Sequence, residues 1–107
     1  MTSTPQYNAS APEPDDIEQT SGPLVLEFGT NWCGHCQAAQ PLITSAFADR
    51  ASVQHLKIED GKGRRLGRLH NVKLWPTLIF MRDGQEIARL VRPTDRENIR
   101  RALDQIS

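Results

Sequence analysis

The alternation of apolar and polar residues along the chain predicts strands and helices in turn. Residues 24–28 form a nearly continuous apolar run of strand length, which is typical of a strand covered on both faces. Apolar residues then recur at helical spacing over residues 38–47, so we expect a helix with one buried face. Pro41 lies within this helix and should kink it, because proline removes one backbone donor. Residues 53–59 have the composition of a second strand.

The second half of the chain predicts a short helix, a hairpin and a closing helix. Residues 64–69 suit a short basic helix whose two leucines face inward. Two apolar runs, 78–81 and 87–91, flank an Asp-Gly pair. This pair is a strong signal for a β-hairpin, because glycine accepts the positive φ of a tight turn. Residues 94–97 have the pattern of a capping box and begin a helix with one apolar face.

These elements predict one α/β domain over residues 15–107, preceded by a flexible segment over residues 1–14. The segment contains three prolines and small polar residues, which favour an extended or disordered chain. A crossover connects the first two strands in parallel, and the hairpin adds antiparallel strands. We therefore expect a mixed central sheet with helices on both faces.

The charges are distributed unevenly, although the formal net charge is zero. Residues 1–60 carry two basic and eight acidic side chains, whereas residues 61–107 carry eleven basic and five acidic ones. A nucleic-acid-binding domain would combine net positive charge with interleaved aromatic residues, so we expect no nucleic-acid partner and interpret the basic residues as solvated helix faces. The sequence has no apolar run long enough to span a membrane, and its N-terminus does not resemble a signal peptide. We therefore expect a cytoplasmic protein with no membrane partner.

The sequence NWCGHC, residues 31–36, contains the candidate chemistry. A disulfide between such close neighbours stabilises little, because it closes almost no loop. The pair follows a buried strand and begins a helix, where free N–H groups and the helix dipole favour a thiolate. We predict that Cys33 attacks a substrate disulfide and that Cys36 resolves the mixed disulfide. Gly34 and His35 lie between them, and a partly protonated imidazole would favour the thiolate and a more oxidising couple.

A zinc site is the alternative interpretation of the two cysteines. Zinc requires four ligands, and only His35, His55 and His70 remain to complete the set. His35 points away from the helix start and cannot easily share a tetrahedron with the neighbouring cysteines. We therefore expect no metal, and we assign no function to His55 or His70.

The motif WCGHC after a strand, together with Trp75-Pro76-Thr77, resembles the thioredoxin superfamily over roughly residues 15–107. Its Cys-Gly-His-Cys sequence is similar to that of protein disulfide isomerase domains. The resemblance implies the thioredoxin fold and a cis peptide bond before Pro76, which would face the cysteines. It also implies that the backbone of Trp75 pairs with an extended substrate segment, next to Thr77.

The resemblance implies roles for two charged residues in the predicted strands. Glu27 falls where thioredoxins have a buried aspartate behind the resolving cysteine, which implies a proton acceptor for Cys36. Lys57 matches the lysine that accompanies this carboxylate. Because Glu27 has apolar neighbours on both sides, we expect burial to raise its pKa into a range useful for proton transfer. An exposed Glu27 on an edge strand and a solvated Lys57 are the alternatives.

Several positions differ from the family pattern. Gly29 stands where thioredoxins usually have a tryptophan, and Arg92 stands where they usually have a glycine lining the substrate groove. Trp75 is bulkier than the usual residue before the proline, and with Trp32 it should form an apolar rim around the reactive sulfur. The segment before residue 24 is poor in strand formers, so the first strand of the family is expected to be missing or irregular.

We therefore predict a monomeric thiol–disulfide oxidoreductase that acts on protein disulfides, is recycled by a reductase and requires no cofactor. Two alternatives remain open. One is a partner-binding module of the same fold with incidental redox activity, and the other is an exported disulfide isomerase or oxidase. A cytoplasmic location favours reduction of partner disulfides, whereas His35 favours a more oxidising couple.

Overall fold

The described part of the chain contains four strands, which form one mixed sheet with helices on both faces. The computed structural model describes residues 6–107. The sheet has the order β2-β1-β3-β4, in which β1 and β2 are parallel and the other pairs are antiparallel. The predicted mixed sheet is therefore confirmed. The elements are α1 (Pro14–Glu18), β1 (Pro23–Gly29), α2 (Gly34–Phe47), β2 (Gln54–Glu59), α3 (Arg65–Leu69), β3 (Thr77–Arg82), β4 (Gln85–Val91) and α4 (Arg96–Ile106).

Strand β1 lies inside the sheet and contributes to two separate apolar cores. Val25 packs on one face with residues of α2 and α4. Leu24, Leu26 and Phe28 pack on the opposite face with Ile17 of α1 and with α3. Successive side chains of a strand point to opposite faces, so an apolar run is needed where both faces are covered. This explains why residues 24–28 lack the polar alternation of a half-exposed strand.

The structure contains the predicted hairpin and closing helix, but the closing helix is capped one residue later than the sequence pattern predicts. Asp83 and Gly84 both have positive φ, 51° and 81°, as a tight β3–β4 turn requires. Helix α4 buries one apolar face, but its cap is Asp95 rather than the first residue of the predicted capping box. The Asp95 carboxylate accepts a hydrogen bond from the backbone N–H of Glu97 at 2.8 Å.

Helix α3 differs from the sequence prediction at its second leucine. Leu66 is buried, whereas Leu69 is 54 % exposed. The helix has only five residues, and Gly67 occupies the other inward position. A Cβ at Gly67 would lie 2.1 Å from a carboxylate oxygen of Asp60, so the backbone itself packs there. The predicted inward orientation of Leu69 is therefore wrong.

Part of the N-terminal segment packs against the domain. Tyr7 is only 6 % exposed. Asn8 forms a single parallel bridge beside β2, because its N–H donates to the carbonyl of Lys57 at 2.9 Å and its carbonyl accepts from the N–H of Glu59 at 3.0 Å. The predicted flexibility over residues 1–14 is therefore wrong for Tyr7 and Asn8, and residues 1–5 lie outside the described residues. In place of a regular first strand the chain has this one bridge, in agreement with the expectation of an irregular strand.

Candidate active site

The two cysteines lie where β1 leads into α2. Cys33 caps the helix, and its Sγ accepts a hydrogen bond from the backbone N–H of Cys36 at 3.2 Å. Cys33 is 7 % exposed and Cys36 is 1 % exposed, while Gly34 and His35 between them are exposed on the first turn of the helix. The arrangement suits a nucleophilic thiolate at Cys33 and a sheltered thiol at Cys36.

A cluster of polar side chains is buried behind the second cysteine. Its centre is Glu27 of β1, which is fully buried. One carboxylate oxygen, Oε1, lies 2.8 Å from Nε2 of His55. The other, Oε2, accepts hydrogen bonds from the hydroxyl of Tyr7 and, at 2.9 Å, from Nε2 of Gln40. The ammonium of Lys57 lies 3.8 Å from the same oxygen. The N-terminal segment, α2 and β2 thus all supply partners to one carboxylate.

The pKa of Glu27 differs in direction from the sequence prediction. Burial by itself raises this pKa, as expected. The hydrogen bond and charge of His55, the charge of Lys57 and the hydrogen bond from Gln40 together outweigh burial, so the pKa of Glu27 lies below its ordinary value. The predicted burial is confirmed, but the predicted rise in pKa is wrong because the partners compensate the lost hydration. Glu27 is an ionised carboxylate at neutral pH.

Lys57 is a buried residue of this cluster rather than a solvated strand residue. Its side chain is 7 % exposed, and its ammonium donates to Oε1 of Gln40 and lies 4.8 Å from the ring centroid of Tyr7. Burial lowers the pKa of Lys57, and the charges of Glu27 and Cys36 oppose this effect. The pairing follows from the register of the sheet, in which Glu27 and Lys57 are direct neighbours on β1 and β2.

The thiol of Cys36 holds its proton tightly. Burial, together with the hydrogen bond and charge of Cys33, raises the pKa of the Cys36 thiol to about 12. Hydrogen bonding with the backbone of Thr30 and with the side chain of Tyr7 acts in the opposite direction. Cys36 is therefore a protonated thiol at neutral pH, and it must lose a proton before it can attack a disulfide.

Two tryptophans border the cysteines on the outside. Trp32 is 73 % exposed, and its ring meets that of Trp75 edge to face, with the centroids 5.7 Å apart. Trp75 also packs against the group formed by Tyr7, Cys33 and Cys36. Its indole N–H donates to the carboxylate of Asp60 at 2.8 Å, which fixes the orientation of the ring.

The loop before β3 and the end of β4 meet beside these tryptophans. The Trp75–Pro76 peptide bond is cis. Thr77 is buried, and its hydroxyl donates to the carbonyl of Leu74 at 2.6 Å. Arg92 has a positive φ of 49°; its N–H donates to the carbonyl of Pro76 at 2.8 Å and its Nε donates to the carbonyl of Trp75 at 2.7 Å. The carbonyl of Trp75, whose backbone the resemblance assigns to pairing with substrate, is thus already engaged by Arg92.

Three residues of the buried cluster around Glu27 were not predicted from the sequence as site residues. His55 lies two residues before Lys57 in the same strand, so strand alternation could have found it on the same face. Gln40 lies one helical turn after Cys36, where its side chain reaches the same region. Tyr7 had only one indirect signal, namely Gly29. A Cβ at this glycine would lie 2.8 Å from Cζ of Tyr7, so the absent side chain leaves the space that the ring fills.

The comparison with known protein families is consistent with this arrangement. A sequence model of thioredoxin matches residues 10–105. The chain belongs to the thioredoxin family. Thioredoxin from Chlamydia pneumoniae is 32 % identical over 77 residues, which cover 72 % of this chain and 76 % of that protein. The structure of thioredoxin 2 from Pseudomonas aeruginosa PAO1 in its reduced form is 52 % identical, with a TM-score of 0.86 and coverage of 97 % of this chain and 96 % of that one.

More distant thioredoxins share the fold. A mutant thioredoxin from Halobacterium salinarum NRC-1 is 23 % identical, with a TM-score of 0.75 and coverage of 99 % of this chain and 96 % of that one. Thioredoxins are thiol–disulfide oxidoreductases that act on protein disulfides, and this chain is accordingly such an enzyme with a Cys33/Cys36 dithiol. No helix within residues 6–107 has the length and apolar character to cross a membrane. The same residues contain no group of three metal-ligating side chains.

Proposed function

We propose that this thioredoxin-family protein reduces disulfides of partner proteins with Cys33 as the nucleophile and Cys36 as the resolving thiol. The asymmetry between the two sulfurs carries the proposal. Cys33 keeps 7 % exposure at the start of α2 and its Sγ accepts the N–H of Cys36, whereas Cys36 is 1 % exposed and the pKa of its thiol is raised. A substrate disulfide can therefore approach Cys33 more readily than Cys36.

The reaction balances without a cofactor. The thiolate of Cys33 attacks one sulfur of the substrate disulfide, forms a mixed disulfide and releases the other substrate sulfur as a thiolate, which takes up a proton. Cys36 then loses its proton and attacks Sγ of Cys33. The Cys33–Cys36 disulfide forms and the second substrate thiol leaves, so two electrons pass from the dithiol to the substrate.

Glu27 is the proposed acceptor of the Cys36 proton, and Lys57 stabilises the charge of this acceptor. Glu27 is the carboxylate of the buried cluster, and its partners keep it ionised and able to accept a proton. Lys57 is close enough to lower the cost of the buried charge, with its ammonium 3.8 Å from Oε2.

The substrate docks on the edge formed by Trp75, Pro76 and Thr77, with Trp32 as an exposed apolar contact. The proximity of the two indoles to Cys33 supports this assignment. Because Arg92 engages the carbonyl of Trp75, an extended substrate segment must share or displace this hydrogen bond. Gly34 and His35 border the nucleophile and are proposed to modulate its reactivity from the exposed turn.

The proposed setting is a monomer in a reducing compartment, the cytoplasm, where a reductase regenerates the dithiol. Thiols stay reduced in such a compartment, so a dithiol of this kind acts there as a reductant of partner disulfides. The electron donor would decide whether the Cys33–Cys36 pair reduces partner disulfides or acts as the more oxidising couple that His35 favours.

Reduction of insulin disulfides by dithiothreitol tests the roles of the two sulfurs. Cys33→Ser should reduce the catalysed rate to the uncatalysed background, because no sulfur can make the first attack. Cys36→Ser should accumulate a mixed disulfide with the substrate, detectable by mass spectrometry under non-reducing conditions. Catalysis by Cys33→Ser at the wild-type rate would contradict the proposal, because Cys36 would then make the first attack.

A further inference from the structure

The hydroxyl of Tyr7 occupies the space between the resolving cysteine and the buried carboxylate. It donates a hydrogen bond to Oε2 of Glu27. On its other side lies the sulfur of Cys36: a Cβ at Gly29 would lie 2.9 Å from Oη of Tyr7 and 2.6 Å from Sγ of Cys36, so the two atoms border the same space. Within residues 6–107, no direct hydrogen bond joins the carboxylate of Glu27 to the thiol of Cys36. The hydroxyl of Tyr7, which borders both groups, offers a path for a proton between them.

The hydrogen bonds of this hydroxyl leave one position for the thiol. A tyrosine hydroxyl has one proton to donate and can accept two hydrogen bonds. The proton is donated to Glu27, and Nε2 of Gln40 donates to the oxygen at 3.2 Å. One acceptor position remains, and the Cys36 thiol is the neighbouring group that can fill it. The ring is otherwise enclosed by Lys57 and Cys33.

The backbone around Tyr7 fixes the ring in this position. The N–H of Tyr7 donates to Oδ1 of Asn31 at 2.9 Å. The N–H and the carbonyl of the next residue, Asn8, both form hydrogen bonds with the backbone of β2. A residue whose own N–H and whose neighbour's peptide groups are held by hydrogen bonds has a defined position, which proton transfer requires. Tyr7 is thus part of the site, although it lies in the N-terminal segment.

We propose that Tyr7 relays the proton of Cys36 to Glu27 during resolution of the mixed disulfide. Oη of Tyr7 accepts the proton from Sγ of Cys36 while its own hydroxyl proton moves to Oε2 of Glu27. The Cys36 thiolate attacks Sγ of Cys33, the Cys33–Cys36 bond forms and the bond to the substrate sulfur breaks. The departing substrate thiolate takes up a proton from water, and Glu27 later returns its proton to water, so the net transfer is from Cys36 to the substrate.

The relay rests on the proposed role of Cys36 as the resolving thiol and specifies how that thiol is activated. The groups that face the relay are Glu27 of β1, His55 and Lys57 of β2, and Gln40 of α2. These groups keep the carboxylate ionised before the transfer. After the transfer, Tyr7 donates a hydrogen bond to the thiolate of Cys36, which stabilises the nucleophile until it attacks.

Single-turnover kinetics on the full chain test the relay. Reduced wild-type protein and Tyr7→Phe are mixed with insulin, quenched with acid at successive times, and assayed for the mixed disulfide by mass spectrometry. Formation of the mixed disulfide should be unchanged within twofold, because Cys33 keeps its surroundings. Resolution should slow by about tenfold to a hundredfold, within the range typical of a lost general acid–base group. It should also become more strongly dependent on pH, because hydroxide must replace the relay.

Asn8→Ala is the matched control, since it alters the same segment and leaves the hydroxyl in place. It should resolve the mixed disulfide at the wild-type rate. Equal resolution rates and equal pH profiles for Tyr7→Phe and the wild type would overturn the relay.

A second comparison covers the case in which the phenylalanine disturbs the segment. Glu27→Gln removes the acceptor and retains Tyr7, so the double variant Tyr7→Phe/Glu27→Gln should resolve no more slowly than the slower single variant. Multiplied effects would mean two independent roles and would overturn the relay. If the wild type itself formed no mixed disulfide at Cys33, the proposed function would fail instead, so the two failures are distinguishable.

Discussion

Glu27 illustrates at the scale of one residue how buried charge is made compatible with the fold. A carboxylate removed from water without partners costs several kcal/mol, and it would normally take up a proton instead. Here, hydrogen bonds or close charges from Tyr7, Gln40, His55 and Lys57 replace the lost hydration. The pKa of Glu27 is consequently lowered although the residue is fully buried. An isolated strand position in a sequence carries no information on how many such partners will converge on it.

Arg92 combines backbone strain with a contact in the proposed docking edge, and two substitutions separate these effects. Arg92→Gly and Arg92→Ala both remove the donor to the carbonyl of Trp75. The glycine variant should be more stable than the alanine variant by about 1 kcal/mol, because only glycine adopts this positive φ without steric cost. Urea unfolding measures this difference.

The same pair of variants tests the docking edge. With the carbonyl of Trp75 available, both variants should show a KM for insulin that is severalfold lower, with kcat nearly unchanged. KM should change without kcat because the substrate backbone no longer competes with the guanidinium of Arg92 for the carbonyl of Trp75. A higher KM in both variants would mean that Arg92 contacts the substrate directly and is not a competitor for the carbonyl.

At the scale of elements, the short bridge between the N-terminal segment and β2 has a larger effect than its length suggests. One bridged residue, Asn8, positions Tyr7 in the space that Gly29 leaves open at the end of β1. Three separate pieces of chain thus meet at Cys36: the segment, the strand end and the helix start. The departure of Gly29 from the usual tryptophan is explained by the tyrosine that fills its place from another part of the chain.

Gly29→Ala should disrupt the packing of Tyr7 against Cys36. Its Cβ would lie 2.6 Å from Sγ of Cys36 and 2.8 Å from Cζ of Tyr7. We expect a loss of about 1–3 kcal/mol in the free energy of unfolding, as is typical of overpacking. We also expect faster hydrogen exchange at the amides of Asn8 and Glu59, because displacement of the ring releases the bridge.

Gly34→Ala is the corresponding control for stability. No atom lies within 4 Å of a Cβ at Gly34, and the residue begins α2. Alanine there should leave the protein equally stable or stabilise it by up to about 1 kcal/mol, because it favours helix over the unfolded chain. Unchanged stability and unchanged amide protection in Gly29→Ala would mean that the ring adapts without leaving its position.

The sequence predicted the elements well where a local pattern determines the structure. The apolar run of β1, the Asp-Gly turn and the helical spacing of α2 each reflect a rule that acts within a few residues. The prediction failed for Leu69, because the orientation of a one-turn helix depends on what packs against it. It also failed for Tyr7, whose burial depends on a space created more than twenty residues later, at Gly29. Of the candidate site, the cysteines and the cis proline were accessible from sequence motifs, whereas Gln40 and His55 required the assembled cluster.

At the scale of the whole molecule, the buried thiol couples stability to pH. Burial and the neighbouring Cys33 raise the pKa of Cys36 from its ordinary value of 9.0 to about 12 in the folded protein. Between these values the unfolded chain loses the thiol proton while the folded chain keeps it. The folded state then binds more protons than the unfolded state, so the free energy of unfolding must fall as the pH rises. Tyr7 adds to this trend above its ordinary value of 10.0, because burial and the charge of Glu27 raise its pKa as well.

Urea unfolding of the reduced protein from pH 7 to 10, compared with Cys36→Ala, isolates the contribution of the thiol. Lys57 has a lowered pKa and opposes the trend; it is present in both proteins, so its effect cancels in the difference except for the part that the charge of Cys36 itself contributes. The wild type should lose stability relative to the variant above pH 9, with a slope that approaches about 1.4 kcal/mol per pH unit, the value for one proton. Parallel curves for the two proteins would mean that Cys36 ionises as readily in the fold as in the unfolded chain. The raised pKa of Cys36 would then no longer support the proposed proton transfer to Glu27.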